Sequence, residues 1–205
     1  EICACLVGSE MCIRDRSIGD AVKALMKQDV ELAQKVMAGD EEIDRTERKI
    51  EDLCLRLLLQ QQPVARDLRN ISAALKMVTD MERIGDHATD ISELAIVLSE
   101  KTYVKKLDHI EEMARETMVM LIQSLEAYVE KDLDKAQKVI AHDDVIDDLF
   151  EEVKQELIEL IRNHADEGEQ AVDLLMVTKY FERIGDHATN IAEWVIFSIT
   201  GQIAG

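Results

Sequence analysis

The sequence predicts an all-α fold of two tandem antiparallel three-helix bundles, and three observations support this fold class. Leu, Ala, Glu and Asp are abundant among the 205 residues, which include one proline and eight glycines, and this composition favours long helices. Apolar residues recur at helical spacings over long stretches, and alternating strand-type runs are missing. The octapeptide ERIGDHAT occurs twice, at residues 82–89 and 182–189, so the chain is an internal duplication.

The first predicted repeat, residues 17–102, contains three helical stretches. Ser17–Lys27 is short, a longer stretch runs from Asp29 to about residue 61, and a third runs from about residue 65 to Leu98. Pro63 separates the second stretch from the third, because proline lacks an amide hydrogen and disfavours a helical residue before it.

The second predicted repeat, residues 103–205, follows the same scheme. Its helical stretches are Val104–Val129, Asp132–Asn163 and Glu167–Ile199, with a polar turn at residues 164–168. Asp29 and Asp132 occupy corresponding positions and are predicted N-caps, because a short side chain with an acceptor oxygen can bind the free amides of a first helical turn. The sequence thus predicts six helices in two bundles.

Residues 1–16 are excluded from the functional interpretation. The segment EICACLVGSEMCIRDR holds three of the four cysteines, lacks a helical apolar period, and ends in a run that resembles translated sequencing-adapter sequence. We predict that it is not native and stands in place of the true start of the first helix, which intact-mass analysis of the native protein would check. Without it only Cys54 is left, so no disulfide framework is expected and a reducing, cytoplasmic setting fits.

The charge balance narrows the expected partners. The chain has 43 acidic residues against 24 basic ones, for a net charge of −19. A surface this negative repels nucleic-acid phosphates and anionic lipid, and the sequence has no basic stripe that would reverse the local field. No apolar run reaches the roughly 18 residues of a membrane span. We therefore expect neither nucleic-acid binding nor membrane insertion.

Acidic residues follow one face of the third stretch in each repeat. A helix turns by about 100° per residue. With the glutamate of ERIGDHAT at zero, the residues four and eight positions later therefore lie at about 40° and 80°. The apolar residues of the same stretch lie opposite, at about 200–260°. The residues on the acidic face are Glu82, Asp86 and Asp90 in the first repeat and Glu182, Asp186 and Asn190 in the second.

The second stretch of each repeat carries a similar acidic face. Asp40 and Asp44 lie on it in the first repeat, and Asp143 and Asp147 lie on it in the second. Carboxylates four residues apart on a helix repel each other, at a cost of roughly a few tenths of a kcal/mol per pair. Because this cost recurs in both repeats, the pattern indicates a compensating ligand, and hard cations with oxygen ligands would supply it.

Structural explanations of the same residues stay open at this stage. An acidic face opposite an apolar face is often simply solvated. Gly85 and Gly185, placed within helices, fit either tight helix packing or close approach of a ligand. The arginine of each ERIGDHAT segment is interpreted as a charge partner of nearby acids, and the histidine as a hydrogen-bonding residue beside the acidic face.

The known signatures of catalysis are missing. No histidine lies three residues after a glutamate or aspartate, as in ferritin-like di-iron oxidases. The sequence has no Gly-rich phosphate loop, no Gly-x-Ser-x-Gly elbow and no His-Glu-x-x-His motif. The methionines lie mostly at core spacings and are interpreted as packing residues. The chain is therefore not expected to be an enzyme.

These motifs resemble those of the PhoU family of bacterial phosphate-signalling regulators. The resemblance rests on Asp40-x-x-Ile43-Asp44, on QQPVA-x-DLR at residues 61–69 and on both Glu-Arg-Ile-Gly-Asp segments, and it covers about residues 17–199. It implies a cytoplasmic protein of two three-helix bundles that often forms a homodimer. It also implies bound metal ions, because some members bind multinuclear iron or zinc clusters, or other divalent cations such as magnesium or manganese, through Glu/Asp-x-x-x-Asp motifs.

Carried over residue by residue, the resemblance implies two sets of metal ligands. They are Asp40, Asp44, Glu82, Asp86 and Asp90 in the first repeat, and Asp143, Asp147, Glu182, Asp186 and Asn190 in the second. Asn190 keeps an oxygen ligand but loses a charge, so the second site is expected to be weaker or differently occupied.

The resemblance also implies a role and partners. Such proteins are negative regulators of phosphate uptake and of phosphate-starvation signalling, and they couple the ATPase subunit of the phosphate transporter to a sensor histidine kinase. Two alternatives of other classes stay open. One is a carboxylate-metal enzyme, such as a phosphohydrolase or an oxidase, and the other is a metal-storage helical bundle.

Overall fold

The computed structural model describes residues 16–60 and 64–202, and within this part the regular structure is entirely helical. Residues 16–27 form α1, followed by Val30–Gln60 (α2) and Ala65–Leu98 (α3). The second repeat comprises Asp108–Glu130 (α4), Leu133–Asn163 (α5) and Gly168–Thr200 (α6), with a short 3-10 turn at Ala165–Glu167. The all-α class and the order of six helices predicted from the sequence are confirmed.

The turns that start α2 and α5 have the same construction. As predicted, Asp29 and Asp132 cap these helices, since one carboxylate oxygen of each accepts the amide three residues later at 3.0 Å. The residues just before them, Gln28 and Lys131, have left-handed φ angles of 53° and 55°. A left-handed residue ends one helix and reverses the chain toward the next. The internal duplication therefore extends to turn geometry.

One predicted helix boundary is wrong. The sequence predicts a helix over Val104–Val129, but α4 begins at Asp108. Gln170 of α6 is 4% exposed, and its side chain accepts a hydrogen bond from the Val104 amide at 2.9 Å and donates one to the Thr102 carbonyl at 3.2 Å. These bonds tie residues 102–104 to α6 as part of the linker between the repeats.

A continuous apolar core joins the two repeats. α6 packs against α3, α4 and α5, and α2 packs against α3. In α3 and α6 the buried residues recur at spacings of three and four, which keeps one face turned to the neighbouring helices. They include Ala74, Met77, Met81, Ile84, Ala88, Ile91 and Ala95 in α3, and Leu174, Val177, Phe181, Ile184, Ala188, Ile191 and Val195 in α6. This packing of α3 on α6 brings the two ERIGDHAT segments into one region.

The structure also bears on the methionines and on the apolar length of the helices. The methionines are mostly buried or half-buried as expected, but Met176 is 42% exposed and does not belong to the core. No helix in the described ranges has an apolar stretch long enough to span a bilayer. The proposal that residues 1–16 are not native lies outside the described residues except for Arg16, as does the predicted break at Pro63.

Candidate metal-binding site

Three of the five acids predicted as ligands in the first repeat line one cavity. Asp40 reaches it from α2, and Asp86 and Asp90 reach it from α3, around a volume of about 500 Å³. Asp44 and Glu82 are not among its lining residues, and Asp44 lies 4.0 Å from a guanidinium nitrogen of α2. The remaining lining residues are Arg83, His87 and Thr89 of α3 and Arg183 and His187 of α6.

The charges of this cavity are partly paired. Asp86 lies 3.4 Å from Arg83, and Asp90 lies 3.2 Å from the Nδ1 atom of His87. Burial lowers the pKa of His87, although its hydrogen bond to Asp90 acts in the opposite direction. The lowered pKa favours the neutral imidazole, and His87 makes a hydrogen bond to Asp90 from this position. As predicted, the histidine lies beside the acidic face and makes hydrogen bonds there.

In the second repeat, four of the five predicted ligands influence each other electrostatically. Burial raises the pKa of Asp143, and the nearby charges of Asp186 and Asp147 raise it further. Burial also raises the pKa of Asp186, with further increases from Glu182 and Asp147. Since like charges raise a carboxyl pKa only when they are near, these four acids of α5 and α6 share one negative field.

One lysine partly compensates that field. Lys179 forms an ion pair with Glu182, and its Nζ also lies 5.2 Å from the ring centroid of Phe150. Phe150 stands at the position that corresponds to Glu47 of the first repeat, so the second repeat has an aromatic ring, which a cation can approach, in place of a negative charge. The two ligand sets are therefore related in sequence but differ in their surroundings.

Gly185 provides the close approach between α5 and α6. A Cβ atom at this position would lie 3.4 Å from a side-chain carbon of Ile146 and 3.6 Å from Oδ1 of Asp143. The interpretation of Gly185 as a tight-packing residue has support here, because the glycine lies against a buried isoleucine, and the approach of a ligand stays a prediction.

The contact of α3 with α6 holds residues that the sequence interpretation missed. The Nδ1 atom of His187 lies 2.9 Å from Asp80, and the Asn190 amide donates to the same carboxylate at 3.2 Å. At the equivalent place His87 stacks on Tyr180, with ring centroids 5.4 Å apart. Positions 80 and 180 correspond in the duplication, so each histidine contacts the partner position of the other repeat. Only the knowledge that α3 and α6 cross could have identified Asp80 and Tyr180.

The oxygen-rich ligand sets fit hard cations in their chemistry. Carboxylate oxygens are the ligands that such cations prefer. The acids raise each other's pKa by repulsion, and a bound positive charge would lower those pKa values again. Among residues 16–60 and 64–202, no three His, Cys, Asp or Glu side chains are arranged as a ready-made metal cage. Asn190 is engaged with Asp80 rather than grouped with the carboxylates. The ligand roles of all ten residues therefore stay predictions.

The fold and these surfaces define a class of protein: a duplicated helical bundle with a carboxylate-rich face on each repeat. A family model described as the PhoU domain matches the chain twice, at residues 15–95 and 110–195. The chain belongs to the PhoU family, as the sequence motifs predicted.

Curated relatives match along nearly the whole chain. The phosphate-specific transport system accessory protein PhoU homolog of Clostridium acetobutylicum is 40% identical over 189 residues, which cover 92% of this chain and 86% of the relative. Its namesake from Caulobacter vibrioides is 37% identical over 191 residues, which cover 93% of this chain and 83% of the relative.

Solved structures agree with this assignment. The crystal structure of PhoU from Pseudomonas aeruginosa matches with a TM-score of 0.95 at 32% identity, over 98% of this chain and 97% of that one. The phosphate transport system regulatory protein PhoU from Streptococcus pneumoniae matches with a TM-score of 0.89 at 25% identity, over 98% and 94%. The predicted pair of tandem three-helix bundles is confirmed by these matches.

Proposed function

We propose that this chain is a regulatory accessory protein of phosphate-specific transport and that it acts through protein contacts rather than catalysis. The observation that supports this most strongly is the match of both repeats to relatives that carry this name, over more than nine-tenths of the chain. In this proposal the protein is a cytoplasmic homodimer. It restrains phosphate uptake and phosphate-starvation signalling by contacting the ATPase subunit of the transporter and a sensor histidine kinase.

We also propose that the acidic residues shape the contact surface by holding cations. Asp40, Asp86 and Asp90 would hold one at the α3–α6 cavity, with Asp44 and Glu82 at its margin. Asp143, Asp147, Glu182 and Asp186 would hold another between α5 and α6, with Asn190 nearby. A bound cation would supply the positive charge that offsets the repulsion among these carboxylates. The carboxylates would rotate inward about their side-chain torsions to share it.

The test of the regulatory role is complementation. In Pseudomonas aeruginosa lacking its own PhoU, expression of this full-length chain is expected to restore repression of phosphate-starvation genes at high phosphate. Cross-linking in the same cells is expected to recover the transporter ATPase and the sensor kinase. Failure to restore repression, at a protein level equal to that of the native protein, would contradict the regulatory role.

Two double variants test the proposed cation ligands separately from the regulatory role. The double variant Asp86→Asn with Asp186→Asn removes one charge from each ligand set and is expected to weaken both bound metal and repression. Asp52→Asn with Asp148→Asn removes two exposed charges from outside the acidic faces and serves as the matched control. If elemental analysis finds the same metal content in both double variants, the ligand assignment is wrong even where the regulatory role stands.

A further inference from the structure

The cavity between α3 and α6 presents two guanidinium groups as well as acids. Arg83 and Arg183 come from equivalent positions of the two repeats and both line it. Arg83 is exposed and has Asp86 as a partner at 3.4 Å. Arg183, which the sequence predicts to be a charge partner of nearby acids, is exposed and forms no ion pair or hydrogen bond with the residues that the structure describes. Its donors are available to a ligand.

The charge balance of the cavity decides which ligand these donors can accept. Three carboxylates and two guanidiniums line it, so these charged groups together leave one net negative charge. This charge repels a lone oxyanion. A divalent cation on the carboxylates reverses the sign, so that the arginines can then hold an anion. Cation and anion would each raise the affinity of the cavity for the other by the same factor.

We propose that this cavity binds inorganic phosphate together with a divalent cation, the phosphate on Arg83 and Arg183 and the cation on Asp40, Asp86 and Asp90. The inference rests on the cation set of the proposed function and adds a second ligand to it. A volume of about 500 Å³ accommodates both ions with several waters, each of which occupies about 30 Å³. A planar guanidinium group can donate two parallel hydrogen bonds to two oxygens of a phosphate.

The mixed lining also selects among oxyanions. Phosphate at neutral pH keeps at least one acidic proton, and a carboxylate beside the arginines, such as Asp86 next to Arg83, accepts a hydrogen bond from that hydroxyl. Sulfate has no such proton, so the same acceptors face its oxygens without a donor. A site built to pair with a hydroxyl discriminates strongly against an analogue that lacks it. The cavity is therefore specific for phosphate over sulfate.

Equilibrium dialysis of the full-length chain with radiolabelled phosphate tests the proposal. Phosphate is expected to bind in the presence of Mn²⁺, to bind at least tenfold more weakly after chelation, and to resist displacement by an equal concentration of sulfate. Arg183→Gln is expected to weaken phosphate binding at least tenfold, while Mn²⁺ binding without phosphate is retained. Arg162→Gln, at an exposed site in the last turn of α5, is the matched control and is expected to bind as the unchanged protein does.

The other outcomes overturn the proposal. Unchanged phosphate affinity in Arg183→Gln, or displacement by sulfate as easily as by phosphate, removes the specific site. Phosphoserine or a nucleoside monophosphate that competes more strongly than inorganic phosphate assigns the cavity to a phosphoryl group on a larger molecule. If Mn²⁺ binds but phosphate does not, this inference fails and the cation set stands. If Mn²⁺ does not bind, the cation set of the proposed function fails as well.

Discussion

At the scale of single residues, the carboxyl group of Asp143 lies where its charge is disfavoured. Burial and the charges of Asp186 and Asp147 raise its pKa above the ordinary value. A carboxyl group whose pKa is higher in the folded state binds its proton more tightly there. Its ionisation therefore costs stability above the folded-state pKa, and that cost is absent below the unfolded-state pKa. The ionised Asp143 carboxylate therefore lowers the stability of the folded chain at neutral pH.

Asp143→Asn is therefore expected to stabilise the metal-free protein. At pH 7 the free energy of unfolding should rise by roughly 0.5 kcal/mol, a figure that allows for solvent screening of a partly exposed group. The gain should shrink as the pH falls toward about 3.9, the pKa of an unfolded aspartate. Urea denaturation of both proteins at several pH values, with chelator present, measures the difference.

Asp148→Asn gives the comparison for this change. Asp148 is an exposed acid of the same helix and lies outside the acidic face. Its replacement is expected to leave the free energy of unfolding within about 0.5 kcal/mol at each pH, as for most surface changes. A loss of stability in Asp143→Asn at pH 7 would show that the Asp143 carboxylate makes contacts that outweigh its repulsion.

At the scale of elements, equivalent turns of the two repeats have acquired different tasks. Gln28 and Lys131 share the same left-handed backbone conformation. The Gln28 side chain donates hydrogen bonds to the carbonyls of Leu98 and Lys101, at 2.6 and 2.7 Å, and so ties the linker to the end of α1. No side-chain bond of Lys131 is found within the described ranges. The same backbone conformation therefore serves two purposes in the first repeat, where Gln28 both forms the turn and binds the linker. In the second repeat Lys131 only forms the turn.

Replacement of each residue by glycine is expected to have opposite effects. Lys131→Gly should raise the free energy of unfolding by about 0.5–1 kcal/mol, because glycine adopts the left-handed conformation without steric cost. Gln28→Gly gains the same relief but loses two hydrogen bonds worth about 1 kcal/mol each, so a net loss of about 1 kcal/mol is expected. Urea denaturation of the two variants side by side measures both signs. A loss in both variants would show that Lys131 contributes contacts beyond its turn.

The elements themselves were largely predictable from local sequence. The apolar spacing of three and four located α2, α3, α5 and α6 to within one or two residues, since helix formation depends mainly on neighbouring positions. Asp29 and Asp132 were recognisable as caps for the same reason. The start of α4 at Asp108 was not predicted, and residues 102–104 are instead tied to Gln170, more than sixty residues away in sequence. Long-range side-chain bonds leave no periodic signal.

At the scale of the whole molecule, the duplication could be predicted, but the site it creates could not. The acidic faces on each helix followed from spacing, and three of their members do meet in one cavity. The guanidinium of Arg183 reaches that cavity from the other repeat, and Asp80 fastens His187 and Asn190 across the contact. These relations depend on how α3 crosses α6, which a helical wheel of one helix cannot specify.

The shared core also determines how ligands affect stability. Because one apolar cluster runs through α1, α3, α4, α5 and α6, the repeats are expected to unfold together in a single transition. A cation bound to either acidic set then stabilises the whole chain by mass action, by about 2.7 kcal/mol at one hundred times its dissociation constant. Millimolar Mg²⁺ or Mn²⁺ is expected to raise the melting temperature through this binding.

Sodium chloride at equal ionic strength separates binding from screening. A chain with a net charge of −19 gains stability from any salt, because screening weakens its self-repulsion. In the unchanged protein and in the control Asp52→Asn with Asp148→Asn, the divalent salt should raise the melting temperature by more than sodium chloride does. In Asp86→Asn with Asp186→Asn, the two salts should raise it equally. Calorimetry of the three proteins in both salts measures the excess. Equal melting temperatures in the two salts would mean that the acids gather only diffuse ions. The duplicated faces would then be solvated surfaces, and the regulatory role would have to rest on protein contacts alone.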